Sequence, residues 1–177
     1  MTGQGSLQQQ GFSVRQARTA DVRGIHALVE PLVQERILLG KELVVFFESV
    51  QEFSVAVDDV TGEVVGCGAL HVLWEDLGEI RTLAVVDGWR GTGVGHAIYE
   101  RLEQQARELG VRRLFCLTFE TEFFGRHGFV SIGEELLVDP EVYSELVRSP
   151  DEGIAEFLDL SRVKPNTLGN SRLLKEL

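Results

Sequence analysis

A chain of 177 residues is the length of one compact domain, and Lys+Arg 17 against Asp+Glu 28 leaves a net charge of −11, which argues against nucleic-acid binding through a basic surface. With 44% hydrophobic and 25% charged residues the chain can bury a core, and collagen-like, coiled-coil and disordered classes are excluded. It has no apolar run of the ~18 residues that a membrane helix needs, and its start, Met1-Thr-Gly-Gln-Gly, lacks the features of a signal peptide. A cytoplasmic protein with no membrane partner is therefore expected. Cys67 and Cys116 lie in apolar segments and, with four His, offer neither a disulfide framework nor metal-ligand spacing, so reduced core thiols and no metal are expected.

Residues 1–11 are Gly-, Ser- and Gln-rich and read as a disordered tail before a domain over 12–161, with an extension over 162–177. A helix is predicted from Thr19, which caps it, through Val22, Ile25, Val29, Leu32 and Val33, with Pro31 bending or shortening it. A second helix follows over Lys41 to Val50. Phe53 to Val57 and Glu63 to Val72 form a hairpin about the turn Asp58 to Gly62. A loop holding Asp76 and Gly78 leads to a strand over Glu79 to Val86.

The period then changes. Val94, Ile98, Leu102, Ala106 and Leu109 recur at helical spacing, with Gly110 as left-handed C-cap. A strand over Val111 to Phe119, a short helix over Thr121 to His127 ended by Gly128, and a strand starting at Phe129 follow. A helix near Pro140 to Val147 and a strand near Ile154 to Leu160 complete the ordered part, and Arg162 to Arg172 reads as loop. Hairpin strands followed by strand–helix–strand units indicate one mixed α/β domain with a partly antiparallel sheet.

Between a strand and the strongest helix stands Arg90-Gly-Thr-Gly-Val-Gly95. Glycines there let the main chain approach a ligand, and the free N–H groups and dipole of the helix start favour an anion such as a pyrophosphate. The spacing fits neither the dinucleotide nor the P-loop fingerprint, so NAD and ATP are poor matches. Arg90-x-x-Gly93-x-Gly95 instead resembles the R/Q-x-x-G-x-G/A acetyl-CoA motif of the GCN5-related N-acetyltransferases, and Phe123-Phe-Gly-Arg-His-Gly-Phe129 resembles that family's second motif. The resemblance covers roughly Val14 to Leu160. It implies a mostly antiparallel sheet with a splayed parallel pair and helices on both faces. The main chain of Leu83 and Val85 would then bond the pantetheine of acetyl-CoA, Arg90, Gly91, Thr92, Gly93, Val94 and Gly95 would wrap its pyrophosphate, and Phe124 would take the position of the family's acidic Tyr. That hydroxyl is missing here, so no general acid is assigned.

Glu79-Ile-Arg-Thr-Leu-Ala-Val85 and Phe115 to Phe124 further resemble the acetyltransferase part of N-acetylglutamate synthases, which begin arginine biosynthesis. The resemblance implies a short single-domain form acting on the α-amine of L-glutamate or L-glutamine, with homodimerisation as a family habit. Acetyl transfer needs a neutral amine, and Glu79 is the predicted base, with Glu120 and Glu122 as alternatives. Two acceptor carboxylates call for cations. Arg81, expected to share a strand face with Glu79 and Leu83, is the first choice and Lys41 the second. Solvated surface charge is the competing reading of each. Cys116 as an acyl carrier lacks a nearby His and reads as core. His71 and His96 read as packed or surface residues, His127 as a cationic helix cap, and Trp74 and Trp89 as loop anchors. Arg162, Lys164, Asn166, Asn170 and Arg172 make the last segment a candidate lid or subunit contact. A different amine acceptor (polyamine, drug or protein N-terminus) and a non-catalytic acetyl-CoA sensor remain the alternatives.

Overall fold

The computed structural model describes residues 11–133, 137–164 and 169–177. The strands are β1 (Phe12–Gln16), β2 (Phe53–Asp58), β3 (Val64–Trp74), β4 (Leu77–Val85), β5 (Arg113–Thr118), β6 (Val130–Ser131) and β7 (Ser171–Glu176). They form one sheet in the order β1-β2-β3-β4-β5-β7-β6, antiparallel at every step except β4–β5. The helices are α1 (Val22–Gln34), α2 (Leu43–Glu48), α3 (Val94–Leu109), α4 (Thr121–Arg126), α5 (Pro140–Leu146) and α6 (Glu152–Phe157).

The β2–β3 hairpin forms where its turn chemistry places it. Asp58 accepts from the Val60 N–H at 2.8 Å and the Thr61 hydroxyl at 3.0 Å, and Gly62 takes φ 74. Beyond it, α3 lies directly on the sheet, because a Cβ at Gly66 or Gly68 would stand 2.7–2.9 Å from Val94 and Ile98 side chains. The apolar stripe of α3 (Ile98, Leu102, Ala106) buries against Ala56, Ile80 and Leu114 on one sheet face. On the other face α1 and α2 cover Val55, Cys67 and Ala69, while α5 and α6 cover Leu77, Phe115 and Leu174. Helices thus stand on both faces of a mixed sheet.

Two features of β4 position the cleft. Its parallel pairing with β5 covers only Leu77, Gly78 and Glu79, after which the strands part. Its pairing with β3 slips between Cys67 and Ala69, and opposite the slip Thr82 takes φ 56. This bulge reverses the alternation. Glu79 and Arg81 face α6, whereas Leu83 turns to the α3 side, which corrects the expectation that Leu83 shares their face.

Several other expectations change. The tail falls on residues 1–10, outside the described residues, while Gly11 is tied in by the Asp59 N–H, which donates to its carbonyl at 3.1 Å. Thr19 does not cap α1; a 3₁₀ turn over Thr19–Asp21 precedes it, and Asp21 accepts from the Arg18 N–H at 2.7 Å. Pro31 sits inside α1, which continues to Gln34. Gly78 belongs to β4, leaving Glu75 and Asp76 as the tight β3–β4 connection.

The segment predicted as a strand near Ile154 is helix α6, because the Asp151 carboxylate accepts from the Ile154 N–H at 3.0 Å and nucleates the turn. Six residues long and buried from Gly153 to Phe157, α6 is too short for its period to show in the sequence. The predicted loop over 162–172 is also revised. Ser171–Glu176 is β7, inserted between β5 and β6, with Leu173 buried on one face and Leu174 on the other. The end of the chain therefore lies within the sheet rather than beyond a boundary at residue 161.

Candidate active site

The candidate cofactor side of the cleft is the opening between β4 and β5 and the loop that follows β4. Successive peptide groups of a strand point to opposite edges. Val86 N–H donates to Val65 on β3 at 2.9 Å, so with regular alternation after the bulge the main-chain groups of Val85 and Leu83 point away from β3, toward the opening. Trp89, buried against Phe12 at 6.3 Å between ring centroids, anchors the loop. Thr92 Oγ1 donates to the Trp89 carbonyl at 2.5 Å, and Gly91 and Gly93 take φ 76 and 92. These left-handed turns bring the chain into α3 with its first amides uncovered. Among the described residues the first main-chain bond at this end runs from Ala97 N–H to the Gly93 carbonyl at 3.0 Å, which leaves Val94, Gly95 and His96 N–H groups to an outside acceptor. Arg90 is exposed and pairs with Asp87 at 3.2 Å. The side chain of Val94 is buried, so only its main chain can serve a ligand. Phe123 covers Gly95, while Phe124 is buried between Tyr99 and Phe129.

The acceptor side is made of charge. Glu79 is 4% exposed, and its Oε2 accepts from Arg81 Nε at 3.0 Å and Nη2 at 2.5 Å. Arg81 also donates to both Asp151 oxygens, at 3.1 and 2.9 Å. His71, the cross-strand partner of Glu79, joins Glu52 at 2.7 Å and Asp151 at 3.5 Å. Gly153 lets α6 close over this cluster, since a Cβ there would collide with the Glu79 carboxylate and the Arg81 guanidinium. Lys41 reaches the same region, close enough for Arg81, Glu79, Asp151 and Glu52 to act on its charge.

The charges set the proton affinities. Burial opposes the charge of Asp151, but Arg81 outweighs it and holds the carboxyl at about 2. Glu79 is raised, because burial outweighs the attraction of Arg81. Burial and Arg81 lower Lys41. Burial and Glu79 push Glu156 up to about 7, against Arg81 and Lys41.

The structure thus brings Glu79, Arg81 and Lys41 together and gives Arg81 two internal partners. Asp151, Gly153, Glu156, His71 and Glu52 complete the cluster, and sequence reasoning missed all five as site residues. One signal was present: Asp151 followed by Glu152 is a helix-start pattern. Glu120 and Glu122 are exposed beside and on α4, and Glu122 pairs with Arg126 at 3.3 Å. Cys116 is buried, and burial pushes its thiol up, against use as a nucleophile. His127 is not a cationic cap: it shares a 2.7 Å contact with His96, and burial and His96 lower its proton affinity. Tyr99 donates to Glu103 at 2.5 Å and is thereby occupied. In the last segment Arg162 pairs with Glu152 at 3.0 Å, Lys164 with Asp159 at 2.5 Å, and Arg172 donates to Gly133 and Phe157 carbonyls; Asn166 lies outside the described residues.

An open wedge between a parallel strand pair, a glycine turn into a helix start and a charged acceptor side are the parts an acyl-CoA transferase needs. Residues 27–129 match the acetyltransferase (GNAT) family. The chain belongs to the GNAT family. It is an acyltransferase, and acetyl-CoA is its acyl donor. This GNAT chain is 60% identical over 162 residues to the amino-acid acetyltransferase of Mycobacterium tuberculosis, covering 91% of itself and 92% of that relative. It is similar to the crystal structure of Rv2747 from M. tuberculosis in complex with CoA and NLQ, with a TM-score of 0.88, 59% identity and coverage of 93% and 99%. It is also similar to N-acetylglutamate synthase from Neisseria gonorrhoeae complexed with coenzyme A and N-acetyl-glutamate, with a TM-score of 0.73, 28% identity and coverage of 94% of this chain and 35% of that one. Among the described residues no group of side chains is arranged to hold a metal, and no helix is long and apolar enough to cross a membrane.

Proposed function

We propose that the protein transfers the acetyl group of acetyl-CoA to the α-amine of L-glutamate or L-glutamine, the step that opens arginine biosynthesis. The observation that carries this reading is 60% identity to an amino-acid acetyltransferase over nearly its full length, and it is supported by Lys41 standing within reach of the charge of Arg81. The main chain of Leu83 and Val85 and the loop from Arg90 to Gly95 hold the donor. Lys41 draws a carboxylate of the acceptor, and Arg81, fixed by Glu79 and Asp151, presents its remaining positive face as a rigid wall. A carboxylate of the cluster accepts the ammonium proton. The neutral amine then attacks the thioester carbonyl, and the thiolate leaves with the proton that the nitrogen gives up. No tyrosine hydroxyl stands at Phe124, so this last proton moves without a side-chain donor there.

A second acceptor class is favoured by one observation. Glu52, Glu79, Asp151 and Glu156 outnumber Lys41 and Arg81, and net negative charge suits a cationic amine such as a polyamine. The deciding experiment is thiol release from acetyl-CoA with a panel of amino acids, polyamines and a peptide, with product masses measured. Release with glutamate or glutamine is the expected result. Release with cationic amines alone overturns the acceptor, and tight acetyl-CoA binding without release from any amine identifies a sensor.

A further inference from the structure

When the ion pairs of the acceptor side are assigned, two opposite charges are left over. The side chains of Lys41, in the connection before α2, and of Glu156, on α6, make no hydrogen bond or ion pair among the described residues. Glu156 is 8% exposed and its carboxylate oxygens still reach the surface, and a carboxylate so far withdrawn without a protein partner costs stability. Such a group fits a site whose missing partner arrives with a ligand. The charges that act on Glu156 are Glu152 of its own helix, Glu79 and Arg81 of β4, and Lys41. Asp151, at the start of α6, is occupied by Arg81. Glu79 is likewise committed, with two Arg81 donors on one oxygen and α6 closed over it.

Gly153, three residues before Glu156 on α6, lies against Glu79 and Arg81, so Glu156 stands on the face of α6 that meets the cluster, and Lys41 acts on it without an ion pair between them. A ligand that carries a cation and an anion a few bonds apart satisfies both, and a free α-amino acid is the smallest amine with that pattern. We propose that Glu156 receives the acceptor's α-ammonium and removes its proton, while Lys41 holds an acceptor carboxylate. The proposal rests on the amino-acid acetyltransferase reading and assigns the base to Glu156 in place of Glu79. One ammonium N–H bond breaks and its proton passes to a Glu156 oxygen. The nitrogen lone pair forms the bond to the thioester carbonyl carbon, the C–S bond breaks, and the nitrogen's surplus proton goes to the thiolate. Glu156 afterwards gives its proton to solvent. A carboxyl that titrates near neutrality, as burial makes this one do, is matched to that task.

The test is the pH dependence of kcat/KM for glutamate and glutamine in the wild type, Glu156→Gln and Glu156→Asp, with the acetyl-CoA Kd measured for each. In the wild type kcat/KM should fall about tenfold per unit below about pH 7, the slope of a single required base. Glu156→Gln should lose that limb and about 100-fold to 10,000-fold in rate, with the acetyl-CoA Kd unchanged. Glu156→Asp should restore the limb with part of the rate. A Glu156→Gln enzyme with wild-type rate and limb overturns the proposal. If that variant does not fold, inhibition of the wild type by glutarate decides: lacking an ammonium, glutarate should bind more tightly as pH falls through about 7, when Glu156 becomes neutral. A glutarate Ki independent of pH overturns the assignment. A wild type that acetylates no amino acid at any pH overturns the acceptor reading as well, and is distinguished by the absence of any acceptor-dependent rate.

Discussion

On the cofactor side the loop from Arg90 to Gly93 is exposed and offers main-chain groups, whereas on the acceptor side Glu79, Arg81, Asp151 and Glu156 are withdrawn from solvent and offer side-chain charge. The donor is large and anionic, and in the proposed arrangement a helix start and a strand edge hold it whatever the side chains are, provided glycines keep the path open. The acceptor is small, and its recognition needs charges whose effect is strong because water is excluded, at a cost to the stability of the fold. Substitutions should therefore separate the two sides, stability being more sensitive on one and donor affinity on the other.

The largest expected effect is that of Arg81→Ala. It strands Glu79 and Asp151 beside each other with the side chain of Arg81, 13% exposed, removed from between them. Denaturant unfolding at neutral pH should show a loss of about 3–5 kcal/mol, and an unchanged midpoint would break the description of this cluster as a buried ion network.

The next effect has the opposite sign. A carboxyl raised from 4.5 to about 7 stabilises the fold fully below its unfolded value, and that contribution is lost as pH rises through the folded value. Above about pH 7 the wild type thus carries a buried charge, and Glu156→Gln should be about 3 kcal/mol more stable there, with the two proteins converging near pH 4. Equal stability at pH 8 would contradict the burial. Asp151, held at about 2, behaves inversely: its contribution is present above its ordinary value and disappears as acid takes the pH through about 2.

A smaller loss of about 1–3 kcal/mol is expected from Gly153→Ala, because the added methyl meets Glu79 and Arg81. Thermal unfolding and acceptor KM should move together in that variant. The smallest effect belongs to the cofactor side. Gly93→Ala strains a residue at φ 92 by about 1–2 kcal/mol, with acetyl-CoA bound up to about tenfold more weakly and the acceptor KM unchanged at saturating donor.

The same contrast explains what could be read in the sequence. The cofactor side is contiguous: a strand, Arg90 to Gly95 and an amphipathic α3 ended by Gly110 all announce themselves locally, and they lie where expected. The acceptor side is gathered from the α1–α2 connection, two neighbouring strands and α6. Lys41 came from resemblance, and Arg81 from strand alternation and the charge that two acceptor carboxylates require. Asp151, Gly153 and Glu156 were lost with α6, a helix of six residues whose last five are buried, too short for its period to separate from that of a strand. The bulge at Thr82, which turns Leu83 to the other face, has no marker in the residues around it. β7 was overlooked because only Leu173 and Leu174 are buried in it, one on each face.

The most direct test of this division is the acetyl-CoA Kd of a Lys41→Met, Glu156→Gln double variant, measured by titration calorimetry beside its turnover with glutamate. The Kd should stay within about twofold of the wild type while turnover is lost. A donor affinity that falls in step with turnover would contradict the separation of a main-chain cofactor side from a charged acceptor side.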